Sequence, residues 1–184
     1  LKLEPAGDKG MFYQTMTIRR TQLVEEDVRA AGNGRTQRLV FGTDYIASGD
    51  ALRTESHASG GVVFAGFGLT HPELKYDDYA GVDVRGKFVV IQQGVPESFP
   101  DDYKQFLEWT EIKNENAVAH GAIGVITIRS EQAERRAPWT AGRVRAARIR
   151  TVWYDGKNAL DTQPTLQFVA TISRAAVRKL VGGT

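Results

Sequence analysis

The sequence contains no cysteine and only three histidines in 184 residues. The lack of cysteine excludes disulfide bonds and cysteine-based metal sites, and it leaves the redox compartment open. No apolar run approaches the roughly 18 residues of a membrane-spanning helix. A formal net charge of +2 provides no global attraction to nucleic acid or to a membrane surface. The length favours one domain, and the start at Leu1 rather than Met leads us to interpret the chain as a piece of a longer protein.

Residue patterns that would support catalysis or metal binding are also missing. The three histidines are widely spaced: His57, His71 and His120. A two-zinc site needs several converging His, Asp and Glu ligands, which an isolated His71-Pro72-Glu73 does not supply. No Gly-x-Ser-x-Gly motif is present, and the adjacency of Ser56 and His57 does not create the geometry of a nucleophile and its base. We therefore predict no catalytic residue, no metal ligand and no cofactor in this chain.

Two short patterns allow a ligand-binding alternative. Gly66-Phe67-Gly68 follows a predicted strand like half of a dinucleotide-binding motif, but Pro72 stands where the motif requires a helix, so a tight turn explains the glycines better. Asp77, Asp78 and Asp83 form an acidic cluster that calcium could use. Capping of turns by these side chains is the favoured interpretation.

The stretch 76–125 organises the chain as a strand, a helical region and a second strand. Residues 87–92 form an apolar, β-branched run between Gly86 and the breakers Gly94 and Pro96, which is typical of a buried strand. Residues 101–120 have a helical pattern whose apolar stripes do not align, which indicates two short helices or a kink. Gly121 then ends the helix, and residues 122–128 form the second strand. This spacing predicts a crossover between two parallel strands.

The other elements are predicted more simply. The turn Asn33-Gly34 favours a hairpin between residues 23–28 and a strand at 38–41. Residues 69–78 are predicted to form a loop, with Pro72 excluding a helix at His71. Further strands are predicted at 11–19, 61–66, 151–154 and 166–172, and helical segments at 131–136 and 174–180. Ser173 is the predicted N-cap of the last helix.

The central residues resemble those of a known family. The run DDYAGVDVRGK at 77–87 resembles the entry motif of the protease-associated (PA) domain, and residues 113–125 resemble its later motif, a helix followed by Gly-Ala-x-Gly-Val. The sequence is similar to PA domains inserted in secreted zinc aminopeptidases of the two-metal type. The resemblance implies structural roles for the motif residues, which are Asp78, Tyr79, Gly81, Asp83, Gly86, Lys87, Gly121 and Gly124.

The resemblance implies a β-rich α/β fold, a swivelling β/β/α domain with an open β-barrel or two-sheet core flanked by helices. It implies one PA domain over residues 1–184, with short flanking peptidase segments at about 1–20 and 173–184. Zinc is expected only in the peptidase domain of the parent protein, which is expected to be secreted or periplasmic. The implied partners are that peptidase domain and a peptide or protein substrate, with no nucleic acid and no membrane span.

Seven arginines lie between Arg129 and Arg150, together with one tryptophan. Arginine and exposed aromatic residues are favoured in binding surfaces. One interpretation is a solvated loop that Glu131 and Glu134 partly neutralise. The other is a surface that contacts the peptidase body or a peptide carboxylate, and its candidate contact residues are Trp139, Arg143, Arg145 and Arg148.

From these observations we predict a non-catalytic PA domain of a zinc exopeptidase, which covers or shapes the active-site entrance and contacts peptide or protein. A free-standing peptide- or protein-binding module is the first alternative. The second is a small independent hydrolase that uses carboxylates of the acidic segment 97–111, although Asp101 and Asp102 are explained by their place at a helix start.

Overall fold

The computed structural model describes residues 3–24, 26–32, 34–140, 150–160 and 162–181. The strands in chain order are β1 Ile18–Thr21, β2 Val28–Gly32, β3 Arg35–Leu39, β4 Tyr45–Ala47, β5 Val62–Phe64, β6 Thr70–His71, β7 Tyr76–Asp77, β8 Phe88–Gln92, β9 Gly124–Ile128, β10 Arg150–Trp153 and β11 Phe168–Ile172. The helices described are α1 Asp101–Leu107, α2 Thr110–Ala119, α3 Glu131–Arg136 and α4 Arg174–Val181.

The predicted parallel crossover forms the centre of the molecule. β8 pairs in parallel with β9, with Phe88 opposite Gly124 and Gln92 opposite Ile128. β5 adds to the free side of β8 and β11 to the free side of β9, both in parallel, and β4 closes the sheet antiparallel to β11. Val89 and Val125 are fully buried, as parallel strands require when both faces are covered.

The connection between β8 and β9 consists of two short helices, as the misaligned apolar stripes predicted. Trp109 separates α1 from α2 in an extended conformation, with φ −63° and ψ 134°. Leu107 of α1 packs in a cluster with Leu69 and Phe99, whereas Ala117 of α2 packs against the central strands. The second helix thus reaches the central strands, while Ile112 at its start still packs against the cluster of Leu107.

Three two-stranded sheets surround the central sheet: β1 with β10, β2 with β3, and β6 with β7. The hairpin of β2 and β3 is confirmed, but its strands lie closer to the turn than predicted, because Gly32 pairs directly with Arg35 and fixes the register. Gly34 has φ 72°, as the turn requires; Asn33 lies outside the described residues. The loop at 69–78 includes the short β6–β7 hairpin, and His71 is extended as expected.

The predicted strand at 11–19 is mostly wrong, because only its last two residues belong to β1. The segment before β1 bonds locally instead. Gly7 N donates to Met11 O at 2.7 Å and Asp8 N to Tyr13 O at 2.7 Å, while Thr15 N donates to the Asp8 carboxylate at 2.6 Å. These bonds occupy backbone groups that a strand ladder would need, and they leave Tyr13 76% exposed.

α4 is part of the domain core. Its predicted N-cap is confirmed, since Ser173 Oγ accepts a hydrogen bond from Ala176 N at 3.1 Å. Ala176 is fully buried in a cluster with Leu39, Tyr45 and Ile172. The β-rich α/β class is therefore confirmed, as a central mixed sheet flanked, within the described residues, by the four α-helices named above. Among the described helices, none combines the length and apolarity needed to cross a membrane.

Candidate contact site

The first motif aspartate closes the loop between β5 and β7. The Asp78 carboxylate accepts hydrogen bonds from Phe67 N at 2.8 Å, from Leu69 N at 3.1 Å and from Tyr76 Oη at 2.7 Å. Burial, followed by the contact with this carboxylate, raises the pKa of Tyr76. A Cβ at Gly66 would stand 2.0 Å from Asp78 Oδ1, so only glycine fits there. The glycines at 66 and 68 thus serve a tight turn, as predicted.

The rest of the entry motif fixes the approach to β8. Lys87 Nζ bonds the Asp83 carbonyl at 2.8 Å and its carboxylate at 3.1 Å. Hydrogen bonds from Lys87 and from Arg85 N lower the pKa of Asp83. Gly81 and Gly86 have φ of 73° and 66°, values that glycine adopts without strain. These contacts explain the acidic and glycine positions of the motif by backbone geometry.

The later motif fits the end of α2 against the start of β9. Gly121 has φ 85°, and its carbonyl accepts from Gly86 N at 2.9 Å, which joins the two motifs. A Cβ at Gly124 would lie 2.5 Å from the Phe88 ring, so glycine allows β8 and β9 to approach. Tyr79 is 4% exposed, and its ring stacks on His120 at a centroid distance of 4.1 Å.

Lys113 is a buried cation in the same region. The side chain of this α2 residue is enclosed, and the whole residue is 3% exposed. Its Nζ donates to Gln92 O at 3.2 Å and to Gly94 O, at the end of β8 and just beyond it. Burial lowers the pKa of Lys113 to about 8. The lysine therefore ties the helix to the end of the strand through backbone carbonyls.

The carboxylates of the motif are thus committed to backbone contacts. Asp77 accepts from Thr70 Oγ1 and Tyr79 N, both at 2.9 Å. Within the described ranges, no group of three or more His, Asp or Glu residues is placed to hold a metal ion. His57 Nε2 lies 3.1 Å from the Glu55 carboxylate, whereas Ser56 Oγ donates to Gln167 O, so this serine and histidine are not arranged as a nucleophile and its base.

The arginine segment begins with a buried anchor. Arg129 follows β9, and only 15% of its side chain is exposed. Its Nε donates to Glu134 at 2.9 Å and its Nη2 to the carbonyls of Ala133 and Ala137. The second Glu134 oxygen accepts from Trp139 N at 2.8 Å. Hydrogen bonds, first from Trp139 and then from Arg129, lower the pKa of Glu134.

Trp139 is held in place on the opposite side as well. Its indole Nε1 donates to Gly42 O at 3.1 Å, and the Arg129 guanidinium lies 5.9 Å from the ring centroid. The ring forms part of the wall of a cavity between α3 and α4 with a volume of about 470 Å³. We call it the arginine cavity, and it is lined by Thr43, Glu131, Glu134, Arg135, Trp139, Ser173, Arg174, Ala175 and Arg178.

Of the four predicted contact residues, the structure places Trp139 at this cavity. Arg143, Arg145 and Arg148 lie outside the described residues. The sequence interpretation did not include Arg174 and Arg178, which line the cavity from another element. Their spacing of four residues on a predicted helix puts them on one face, and that spacing was the available indication.

Comparison with known proteins identifies the family of this chain. The model of the family "PA domain" matches residues 39–166. A similar solved structure is an aminopeptidase from Aneurinibacillus sp. strain AM-1, with 17% identity and a TM-score of 0.35 over 92% of this chain and 32% of that one. The chain thus spans about a third of the length of that aminopeptidase. No curated protein matches. The family match covers more than half of the sequence, including both motifs, and the chain belongs to the PA domain family.

Proposed function

We propose that the chain is the non-catalytic PA domain of a zinc-dependent aminopeptidase, where it covers or shapes the active-site entrance and contacts peptide or protein. The observation that carries this proposal is the contrast between the two polar regions. The motif carboxylates are used in closing turns, whereas the arginine cavity presents charged and aromatic groups at the surface. Contact is the chemistry that this surface supports, because arginine and tryptophan dominate binding energies in protein interfaces.

A second observation supports contact between this domain and another domain of a larger parent protein. Phe12, Tyr13 and Met16 are 69%, 76% and 61% exposed, although they are large and apolar. A group of such residues on one surface segment is typical of a surface that another polypeptide covers. We propose that the covering body is the peptidase domain of the same parent, that residues 1–20 and 173–184 lead into it, and that zinc is bound there. A secreted or periplasmic parent is proposed on family resemblance alone.

The contact role is tested in the parent enzyme by replacing Arg143 and Arg145 together with alanine. We expect a changed KM or substrate preference, with little effect on the free energy of unfolding. Arg35→Ala provides the control, since Arg35 is an exposed arginine of β3 and does not belong to the arginine segment 129–150. Kinetics equal to those of the wild type would favour the solvated-loop interpretation.

The non-catalytic role is tested with the 184-residue chain, supplied with zinc and assayed on aminoacyl chromogenic substrates. We expect no turnover. Turnover that a chelator abolishes would contradict the proposal. It would also revive the hydrolase alternative, which the structure does not favour, because Asp101 of the acidic segment is 94% exposed and its carboxylate bonds to Lys104. That hydrogen bond lowers the pKa of Asp101, the opposite of what a general acid requires.

A free-standing binding module remains the other candidate, because the arginine cavity would serve it equally well. The two proposals differ in one respect that can be read directly. A parent sequence that encodes His, Asp and Glu zinc ligands after Thr184 supports the aminopeptidase, whereas a parent without them supports the free-standing module.

A further inference from the structure

The arginine cavity lies where sheets of this kind bind ligands. Its walls begin immediately after β9 and β11, which are parallel neighbours in the central sheet. In open α/β sheets, ligand sites lie outside the carboxyl ends of the parallel strands. Here α3 leaves β9 through Ser130, and α4 leaves β11 through Ser173, and the cavity opens between the two helices.

The cavity has more positive charge than its acidic residues neutralise. Glu131 contacts Arg174 at 2.7 Å and Arg135 at 3.8 Å. Glu134 is occupied by Arg129 and by the backbone amide of Trp139. Arg178 lines the cavity from α4 and has no ion pair within the part of the chain that the structure describes. An anion that enters the cavity therefore meets the Arg178 guanidinium, which forms an ion pair with none of the described carboxylates.

Several other donors lie on the same wall. Arg174 and Arg178 are four residues apart on α4 and face the same side. The first amides of a helix lack partners inside the helix and carry a partial positive charge, and Arg174 and Ala175 supply them here. Opposite, the Trp139 ring offers an apolar surface, held by its bond to Gly42 O. We infer that the arginine cavity binds a carboxylate of a peptide ligand, with Arg178 as the main cationic contact.

A carboxylate suits the cavity better than a phosphate does. Arginine binds a carboxylate through two parallel hydrogen bonds. Glu131 and Glu134 remain nearby, and like-charge repulsion grows with the charge of the ligand, so a dianion is penalised more than a monoanion. The tryptophan wall adds contact area for the neighbouring peptide carbons. The carboxylate has two sources in peptides, an Asp or Glu side chain and a free C-terminus, and the experiment separates them.

This inference deepens the proposed contact function and rests on it. The test uses the 184-residue chain and three peptides: acetyl-AADAA-amide, acetyl-AAAAA with a free C-terminus, and acetyl-AANAA-amide as the uncharged control. The three tryptophan indole N–H signals are followed by NMR during titration. Binding is expected to shift the Trp139 signal with at least one carboxylate peptide, while Trp109 and Trp153, which do not line the cavity, act as internal references.

Variants assign the effect to the guanidinium. Arg178→Ala should weaken binding about tenfold or more, the usual effect of losing a charged hydrogen bond, and Arg178→Lys should recover only part of it because lysine lacks the planar fork. Arg136→Ala is the matched control. Arg136 is also an exposed arginine, on the adjacent α3, but it does not line the cavity, and it should bind like the wild type.

Three results would overturn the inference. The first is the absence of a Trp139 shift at millimolar peptide. The second is equal shifts with the Asp and Asn peptides, together with no response to the peptide that has a free C-terminus. The third is an equal loss of peptide affinity in Arg178→Ala and Arg136→Ala. None of these depends on the kinetics of the parent enzyme. If they occurred while Arg143→Ala with Arg145→Ala still altered KM, the contact function would stand and only the carboxylate site would fail.

Discussion

The two polar regions of this domain use charge in opposite ways. In the crossover around β8 and β9, Asp78 directs its carboxylate at two backbone amides and a tyrosine, and Lys113 directs its amine at two carbonyls. At the arginine cavity, Arg178 faces open space beside residues that are already paired. The motif thus marks charges needed to shape the backbone. The proposed binding surface lies outside the motif, where Arg178 makes no ion pair with a described residue.

The comparison also separates stability from function in a measurable way. A polar side chain that satisfies several buried groups is costly to remove, because those groups are left without partners. An exposed arginine leaves nothing unsatisfied when it is truncated. Substitution of Asp78 in the crossover should therefore destabilise the protein, whereas substitution of Arg178 at the cavity should change binding with little loss of stability.

The largest effect is expected for Asp78→Ala. The substitution leaves Phe67 N, Leu69 N and the Tyr76 hydroxyl without their shared acceptor. We expect a loss of about 3 kcal/mol in the free energy of unfolding, since each abandoned group costs about 1–3 kcal/mol and part of the loop can reach water. Urea denaturation followed by tryptophan fluorescence measures the loss.

Asp102→Ala is the control for that substitution. Asp102 is an exposed aspartate in the first turn of α1, where its charge is favourable to the helix dipole, and its loss should cost less than about 1 kcal/mol. Equal destabilisation by the two changes would show that the Asp78 contacts do not hold the loop, and the contrast between the two regions would be lost.

The sequence predicted the crossover well because its determinants are local. The apolar run of β8 lies between glycines, and Gly121 ends α2 where the chain must turn into β9. The strand predicted at 11–19 failed because the Asp8 carboxylate accepts the backbone amide of Thr15 and the local backbone bonds continue this turn, a preference that alternation of apolar residues does not reveal. The pairing partner of a strand cannot be predicted from local residues either, because β1 pairs with β10, which lies far along the chain.

Only part of the candidate site was predicted from the sequence, for a related reason. Trp139 was singled out because it lies within the arginine segment. Arg174 and Arg178 were not, because the contact between α3 and α4 depends on the order of strands in the sheet. Parallel pairing of β9 with β11 brings these helices together, and no residue pattern within either helix specifies that neighbour.

The next prediction concerns the pH dependence that Lys113 confers. Burial lowers its pKa to about 8 in the folded protein, whereas an unfolded lysine titrates near 10.4. Between these values the unfolded state binds more protons than the folded state, so the contribution of this lysine to the free energy of unfolding rises with pH. Relative to Lys113→Met, the wild type should gain about 1–2 kcal/mol between pH 7 and pH 9.5.

Two measurements check this sign. The ¹³Cε shift of Lys113 should titrate with a midpoint near 8, and the signal should be missing from Lys113→Met. The stability series stops at pH 9.5 because burial raises the pKa of Tyr45 to about 12, which lowers stability once unfolded tyrosine ionises near pH 10. A lysine midpoint above 10, or parallel stability curves, would mean that the amine is hydrated rather than enclosed between α2 and β8.

The smallest change in the free energy of unfolding is expected for Arg178→Ala, as the comparison of the two polar regions predicts. The side chain is exposed and makes no ion pair with any described residue, so its removal should change the free energy of unfolding by less than about 0.5 kcal/mol. Arg136→Ala should match it in the same urea experiment. A loss of more than about 1 kcal/mol in the free energy of unfolding for Arg178→Ala alone would show that α4 depends on this arginine. Arg178 would then have a structural role like that of Asp78.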